Sequence, residues 1–344
     1  MSLSDAPLPP TPARRSVPLA MFVVIVIVVA GVSLAGVAAY YAAQPATPHG
    51  AVTVTDDLGR RVAIPADPTR VVVLGPSIMD SMFRLGLRSY VVGVDCYAPA
   101  LGGLSADYSP DQVALWNLTS SMCVQTGPTF NIEGLLALAP QLVLATTIVS
   151  PAAVEEISQT YGTPVVMLQP ATLSGVVLDE QLLGQVFNVP GPAATLDSSL
   201  EATLDRAASY QSNLSFNGTP FPSVLVTYSV DANGYWTFGP GTFGESLIEL
   251  ASGASIAGNA TLSYPELAGE QVLASDPEFL VYGVGYGLNE STFAQGPFWS
   301  QLSATQDGKA VGLDSNYFTE PDPTMILDGL PDLLAILHPG VSIG

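Results

Sequence analysis

From Ser16 to Thr55 the chain carries no Asp, Glu, Lys or Arg, and Val17 to Ala43 is an apolar run whose densest part is Met21 to Ala30. That run exceeds the roughly 20 residues needed to cross a bilayer and the roughly 7 to 15 of a signal-peptide core. It predicts a membrane anchor over 17–43 that is retained, with cleavage near Ala42 and Ala43 as the alternative. Arg14 and Arg15 precede the run and the other flank is neutral, so residues 1–16 are expected to be a cytoplasmic tail and the rest extracytoplasmic. No cysteine follows the run, which argues against a lipid-modified N-terminus.

Two further features suit an outside location. Five of the nine asparagines stand in Asn-X-Ser/Thr sequons, namely Asn117, Asn213, Asn217, Asn259 and Asn289, and are read as exposed glycosylated loops. Cys96 and Cys123 either close a loop worth about 3 kcal/mol in an oxidising compartment or are two buried thiols. The balance of 30 acids to 9 bases leaves a net charge of -21, which repels a phosphate backbone and excludes nucleic acid as a partner. Only 11% of residues are charged, so the acidity comes from missing bases. With carboxylates protonated few positive charges would remain to repel each other, so tolerance of an acidic exterior is expected. The two histidines, His49 and His338, have no neighbours suited to a triad or a metal cluster, and no metal site is expected.

Beyond a short linker at 44–51, strand and helix patterns alternate. Val52 to Ile64 reads as a hairpin about Asp57-Leu-Gly59. Strands are expected at Arg70–Leu74, Val91–Val94, Leu142–Ala145 and Pro164–Leu168, with helices between them including Ile132–Leu138 and Ala153–Thr160. That rhythm predicts a parallel sheet covered on both faces. Pro192 to Asn213 breaks it, with Leu196, Leu200 and Leu204 at helical spacing, and reads as one helix of about 20 residues. A second set follows: strand Ser223–Val230, helices Phe243–Ala251 and Gly269–Ser275, strands Phe279–Tyr282 and Ala310–Leu313, and a terminal helix Thr324–Leu337. The reading is an α/β chain of two Rossmann-like lobes, 52–190 and 215–344, joined by a single helix over 191–214. A ligand belongs between the lobes, at the carboxyl ends of the strands.

Particular segments carry a resemblance. Val54-Thr-Asp-Asp-Leu-Gly-Arg60, Pro68-Thr-Arg-Val-Val-Val-Leu-Gly-Pro-Ser77 and Asn131-Ile-Glu-Gly-Leu-Leu-Ala-Leu-Ala-Pro-Gln-Leu-Val143 are followed by Phe243-Gly-Glu-Ser-Leu-Ile-Glu-Leu-Ala-Ser-Gly253. Then come Glu270-Gln-Val-Leu-Ala-Ser-Asp-Pro277, Asp322-Pro323 and His338-Pro339. In this order they resemble the substrate-binding proteins of ABC importers for cobalamin, ferric siderophores and haem, whose two lobes are joined by one long helix. The resemblance implies capture of a metal chelate or corrinoid and its delivery to a permease by a monomer with no cofactor of its own. It also implies docking of a glutamate from each lobe onto permease arginines, here Glu133 and Glu270. Each lies in the first turn of a predicted helix, where a carboxylate is favoured, although such acids are also ordinary helix starts.

Candidate cleft residues are Pro76, Ser77, Tyr97, Thr146, Thr147, Tyr235, Trp236, Tyr286, Tyr317 and Phe318. Tyr97 and the Tyr317-Phe318 pair fall where the resemblance implies aromatic contacts to a large flat ligand, unless these rings are core. None of Arg60, Arg61, Arg70, Arg84, Arg88, Arg206 and Lys309 falls in a predicted strand-end loop. That favours a neutral or cationic corrinoid over an anionic chelate, though tyrosines could hold ferric iron or haem. Gly239-Pro-Gly-Thr-Phe-Gly244 matches a dinucleotide pattern only formally, since an acid about 20 residues on is lacking. Asp231 to Gly234 is too short for a calcium loop and reads as a turn. No nucleophile with a base can be assembled, so an enzyme ranks below a sensor ectodomain among the alternatives, and the 13 residues before Arg14 are too short to signal alone.

Overall fold

The computed structural model describes residues 50–96, 118–126 and 129–343. The expected anchor over 17–43, Tyr97 and Asn117 lie outside them. Among the described residues no helix is long and apolar enough to cross a membrane. The expected hairpin is present as β1 (Val52–Thr55) and β2 (Arg61–Ile64), paired antiparallel. Its turn is organised by Asp56, whose carboxylate accepts from the backbone N–H groups of Leu58 and Arg60 and from the Arg60 guanidinium. The same carboxylate accepts from the Met167 N–H and so staples the hairpin to the first lobe.

The first lobe is built on a six-stranded sheet. β3 (Val71–Leu74), β4 (Val91–Asp95), β5 (Cys123–Thr126), β6 (Thr129–Phe130), β7 (Leu142–Ala145) and β8 (Val165–Met167) lie in the order β6-β5-β4-β3-β7-β8. All adjacent pairs are parallel except β5 with β6. β3 and β7 are buried at every position, as expected for strands covered on both faces. The covering helices include α1 (Pro76–Arg84), α2 (Ile132–Ala137) and α3 (Pro151–Glu155). Cys96 and Cys123 are joined by a disulfide, with Cα atoms 5.0 Å apart, at the end of β4 and the start of β5.

Helix α4 (Leu173–Val186) is absent from the reading of the sequence. Its exposed face, Ser174, Leu178, Gln181 and Gln185, includes an apolar residue and its buried side includes Asp179 and Glu180, so the sequence shows no clean apolar stripe. It turns sharply into α5 (Pro190–Phe216), the expected connector, which is longer than predicted at 27 residues. The turn is tight enough that a Cβ on Gly184 would lie 2.5 Å from that of Ala193.

The second lobe has β9 (Ser223–Val230), β10 (Gly234–Thr237), β11 (Ala254–Ser255), β12 (Glu266–Ala268), β13 (Phe279–Val284) and β14 (Ala310–Asp314). The sheet order is β12-β10-β9-β13-β14, with β11 beside the start of β9. β9, β13 and β14 are parallel, whereas β10 and β12 run antiparallel to their neighbours, which the predicted parallel pattern did not include. Helices α6 (Phe243–Leu250), α7 (Gly269–Ser275) and α8 (Leu330–Leu337) pack around it. Residues 325–329 form a π-helical turn that leads into α8.

One apolar cluster runs through both lobes. It takes in Ile78 and Met82 of α1, Leu183 of α4, Leu196 and Leu200 of α5, and then Phe238, Phe318, Ile326 and Leu334 of the second lobe. The lobes are thus fused along the connector side, and residues from Pro48 onward form one compact unit.

Candidate functional site

The carboxyl ends of the first lobe's parallel strands converge on α1. β3 is followed by Gly75, whose φ of 151° and close approach to Thr146, with Cγ2 2.4 Å from where a Cβ would stand, leave no room for a side chain. The Gly75 N–H donates to the Asp95 carboxylate at 3.0 Å, so the ends of β3 and β4 are tied together. Pro76 then opens α1 at a position where its missing N–H costs nothing. Thr146 is buried at the end of β7, and the exposed Thr147 donates from N–H and hydroxyl to Gln169 Oε1. Pro76, Ser77, Thr146 and Thr147 are therefore gathered on one edge.

Across from it lie the ends of β13 and β14. Tyr286 follows β13 with a left-handed φ of 53° and donates its hydroxyl to Asn316 Oδ1, beyond β14. Asn316 is itself held by Asp314, which accepts from its N–H at 2.9 Å and its Nδ2 at 3.0 Å. Tyr317 is partly exposed beside them. Burial raises its phenol pKa first, and Asp328, Asp314 and Asp332 add to the effect.

Two expected ring contacts are corrected by the structure. Tyr235 is not at a strand end but inside β10, opposite Val230 on one side and Leu267 on the other, and has no exposed surface. Its hydroxyl donates to the Pro297 carbonyl at 3.0 Å, and burial pushes its pKa up to about 12. Phe318 is likewise fully buried and packs edge-on against Phe238, with centroids 6.2 Å apart. Neither ring can meet a ligand without opening the core. Trp236, next to Tyr235 in β10, is half-buried.

The residues that the sequence did not single out are those joining the two edges. α1 has no side-chain cap of its own. Instead the Ser77 N–H donates to the carboxylate of Glu320 in the other lobe, which places an anion at the positive end of the helix. Burial, with the charge of Asp95 adding to it, nevertheless raises Glu320 to about 7. Further along α1, Arg84 bonds Asp80 at 2.7 Å and Thr324 of the second lobe at 2.8 Å. Asp322 is buried close by and its pKa is raised well above the ordinary range, by burial and then by Asp80. Glu180 of α4 has no exposed surface, accepts from the Ser81 hydroxyl, and is raised to about 8 chiefly by burial. The i,i+4 spacing of Asp80 and Arg84 was the one visible signal, and it does not reveal a partner 240 residues away.

Among the described residues no base directly follows the carboxyl end of a strand in either six-stranded sheet. Arg60 pairs with Asp56, Arg70 bonds the carbonyls of Leu138 and Ala139 before β3, and Lys309 pairs with Glu278 before β14. A separate cavity of about 490 Å³, lined by residues including Glu245, Glu249 and Ser255, lies between α6 and β11. β11 pairs with the start of β9, so this cavity is at the opposite end of the sheet from the strand termini.

The two expected docking acids are both exposed in the first turns of short helices. Glu133 follows the cap Asn131, whose Oδ1 accepts from Gly134 N–H, and Glu270 follows the bend at Ala268. Of the sequon asparagines, Asn213, Asn217, Asn259 and Asn289 are exposed. Asn213 stands on α5 rather than in a loop, and Asn289 uses its side chain to accept from Thr292 N–H and the Ser291 hydroxyl.

Two α/β lobes fused through one long helix, with polar strand ends opposed across the join, define a two-lobed binding protein. The chain belongs to the periplasmic binding protein family, whose profile matches residues 71–317. It is 28% identical over 320 residues to a cobalamin-binding protein of Halobacterium salinarum, covering 89% of this chain and 81% of that one. It is 26% identical to a vitamin B12-binding protein of Photorhabdus laumondii, with coverages of 76% and 86%. Among solved structures, the molybdate periplasmic binding protein MolA of Haemophilus influenzae superposes with a TM-score of 0.70 at 21% identity, over 84% of this chain and 91% of that one. The periplasmic vitamin B12-binding protein BtuF of Vibrio cholerae gives 0.60 at 22% identity, with coverages of 79% and 97%.

Proposed function

We propose that this chain is the substrate-binding component of an ABC importer that takes up a corrinoid, with an iron chelate as the other ligand class. The observation that carries this reading is the family match over both lobes, joined to relatives named for cobalamin that span most of the chain. Two features of the site support a corrinoid in particular. The strand ends carry no Lys or Arg to hold a strongly anionic chelate. The groups that do meet there, Asp95, Glu320, Asn316, Tyr286 and Tyr317, are neutral or acidic. Pro76, Ser77, Thr146, Thr147, Trp236 and Tyr97 belong to the same proposed site.

In this reading the apolar run over 17–43 tethers the lobes outside the cell, and Glu133 and Glu270 meet arginines of the permease. Asn117, Asn213, Asn217, Asn259 and Asn289 are the proposed glycosylation positions. Ligand capture involves little closure, because α5 and the shared apolar cluster resist hinge motion. Equilibrium dialysis of the full chain against cyanocobalamin, haemin and a ferric hydroxamate tests the ligand class. Saturable binding of one cyanocobalamin per chain is expected, and retention of none of the three overturns the reading.

A further inference from the structure

Two lobes that share a connector need no ion-paired contact elsewhere, so the bonds between α1 and the second lobe call for a reason. Arg84 Nε donates to Asp80 Oδ2 at 2.7 Å, one turn back on α1. Its Nη2 donates to Thr324 Oγ1 at 2.8 Å and lies 3.9 Å from Asp328 Oδ2, both on the second lobe. Thr324 Oγ1 in turn donates to Asp80 Oδ2 at 3.1 Å, which closes a ring of three side chains across the join. At the head of the same helix the Ser77 N–H holds Glu320. Between these points, Asp322 caps the turn that carries Met325, accepting its N–H at 3.0 Å, and Met325 and Ile326 are buried in the shared core.

We propose that Arg84 is a positioning residue for the cleft: by bolting α1 of the first lobe to the segment 320–328 of the second, it sets the separation of the two walls. The inference rests on the cleft being the ligand site. The groups facing this bolt are Asp80 on α1, Glu180 on α4, and Glu320, Asp322 and Asp328 on the second lobe. Asp197 of α5 faces Glu180, Asp95 faces Glu320, and Asp314, Asp328 and Asp332 face Tyr317. All are acids, and Arg84 is the base they meet. Without it the carboxylates of the two lobes repel one another across a partly buried surface, and protonation relieves that repulsion. The walls therefore separate when Arg84 is lost at a pH where Glu180, Glu320 and Asp322 are ionised, and stay together where these three hold their protons.

The test uses the full chain in detergent micelles. Spin labels on Glu156→Cys and Asp307→Cys, exposed on the first and second lobes, report the distance between lobes by pulsed electron resonance. The two native cysteines are joined and do not compete for label. Arg84→Met is expected to lengthen that distance at about pH 8 and to leave it as in the unsubstituted protein at about pH 5. Adding Asp80→Asn and Asp322→Asn is expected to restore the short distance at both, and Arg84→Lys to keep most of it. Cyanocobalamin affinity of Arg84→Met is expected to fall about tenfold at the higher pH, as when a tenth of molecules remain competent. An Arg84→Met distance that matches the parent at both pH values overturns the proposal. If Arg84→Met alone does not fold, the triple variant decides: a long distance in it at about pH 5 as well as about pH 8 overturns the bolt, since Asp80 and Asp322 are then neutral at both and Glu180 and Glu320 hold their protons at the lower one. Failure of the parent to bind cyanocobalamin, haemin or a ferric hydroxamate sinks the ligand reading instead, and leaves the distances to judge the bolt.

Discussion

Glu133 and Glu270 stand exposed at the first turns of α2 and α7, whereas Asp80, Glu180 and Asp322 are buried where the lobes meet. The same functional group serves opposite ends in the two places. At the outer helix starts a carboxylate costs nothing to keep in water and is available to a partner's arginine. Between the lobes it has lost water, and its charge is tolerated only through Arg84, the Ser81 hydroxyl, the N–H groups of Ser77 and Met325, or a retained proton. An acidic chain with few bases uses them in its architecture and leaves the proposed docking acids bare.

That contrast can be broken most forcefully at Arg84. Arg84→Met leaves buried carboxylates without their cation, and a loss of about 4 kcal/mol in urea unfolding near neutral pH is expected. A loss under about 1 kcal/mol would show that the acids carry no charge there to begin with.

The next largest effect is on pH. Glu180 and Glu320 are raised to about 8 and about 7 from an ordinary 4.5. Below the ordinary value both folded and unfolded forms hold the proton. As pH climbs the unfolded chain releases it first, so stability is lost until the folded values are passed. Thermal unfolding should therefore show a higher midpoint at about pH 5 than at about pH 8, a difference of about 3 kcal/mol from the fully buried Glu180 alone. Glu180→Gln should flatten that profile, and an unchanged slope would assign it to other groups.

Smaller effects separate core from cleft and cleft from rim. Tyr235→Phe removes one buried hydrogen bond to Pro297 and is expected to cost about 1 kcal/mol with cyanocobalamin affinity unchanged. A change in affinity would return Tyr235 to the cleft. Glu133→Ala with Glu270→Ala is expected to alter stability by under about 0.5 kcal/mol and leave binding intact while abolishing uptake by whole cells. Uptake at the parental rate would remove these two acids from the permease contact.

Much of the architecture was legible because it depends on local pattern. Ser223–Val230 and Gly269–Ser275 have the bounds that their periodicity and flanking residues predict. The connector was visible as a long stretch of helical spacing with no strand signal, although its ends ran further than the leucines showed. α4 was not visible, because Leu178 lies on its exposed face while Asp179 and Glu180 lie on its buried side, which blurs the apolar stripe. β10 and β12 were missed because short antiparallel strands resemble the loops around them, and with them went the placement of Tyr235.

The sequence by itself determined the alternation of strands and helices, the break that makes two lobes, and the poverty of bases at the strand ends. These follow from side-chain period and composition, which are properties of neighbours along the chain. Only the tertiary structure decided which acids are buried, that Phe318 is core while Tyr317 is not, and that Arg84 meets Thr324 across the join. Burial and pairing over such a separation arise from packing of whole elements, and a carboxylate's cost or use is set by the water and partners that packing leaves to it.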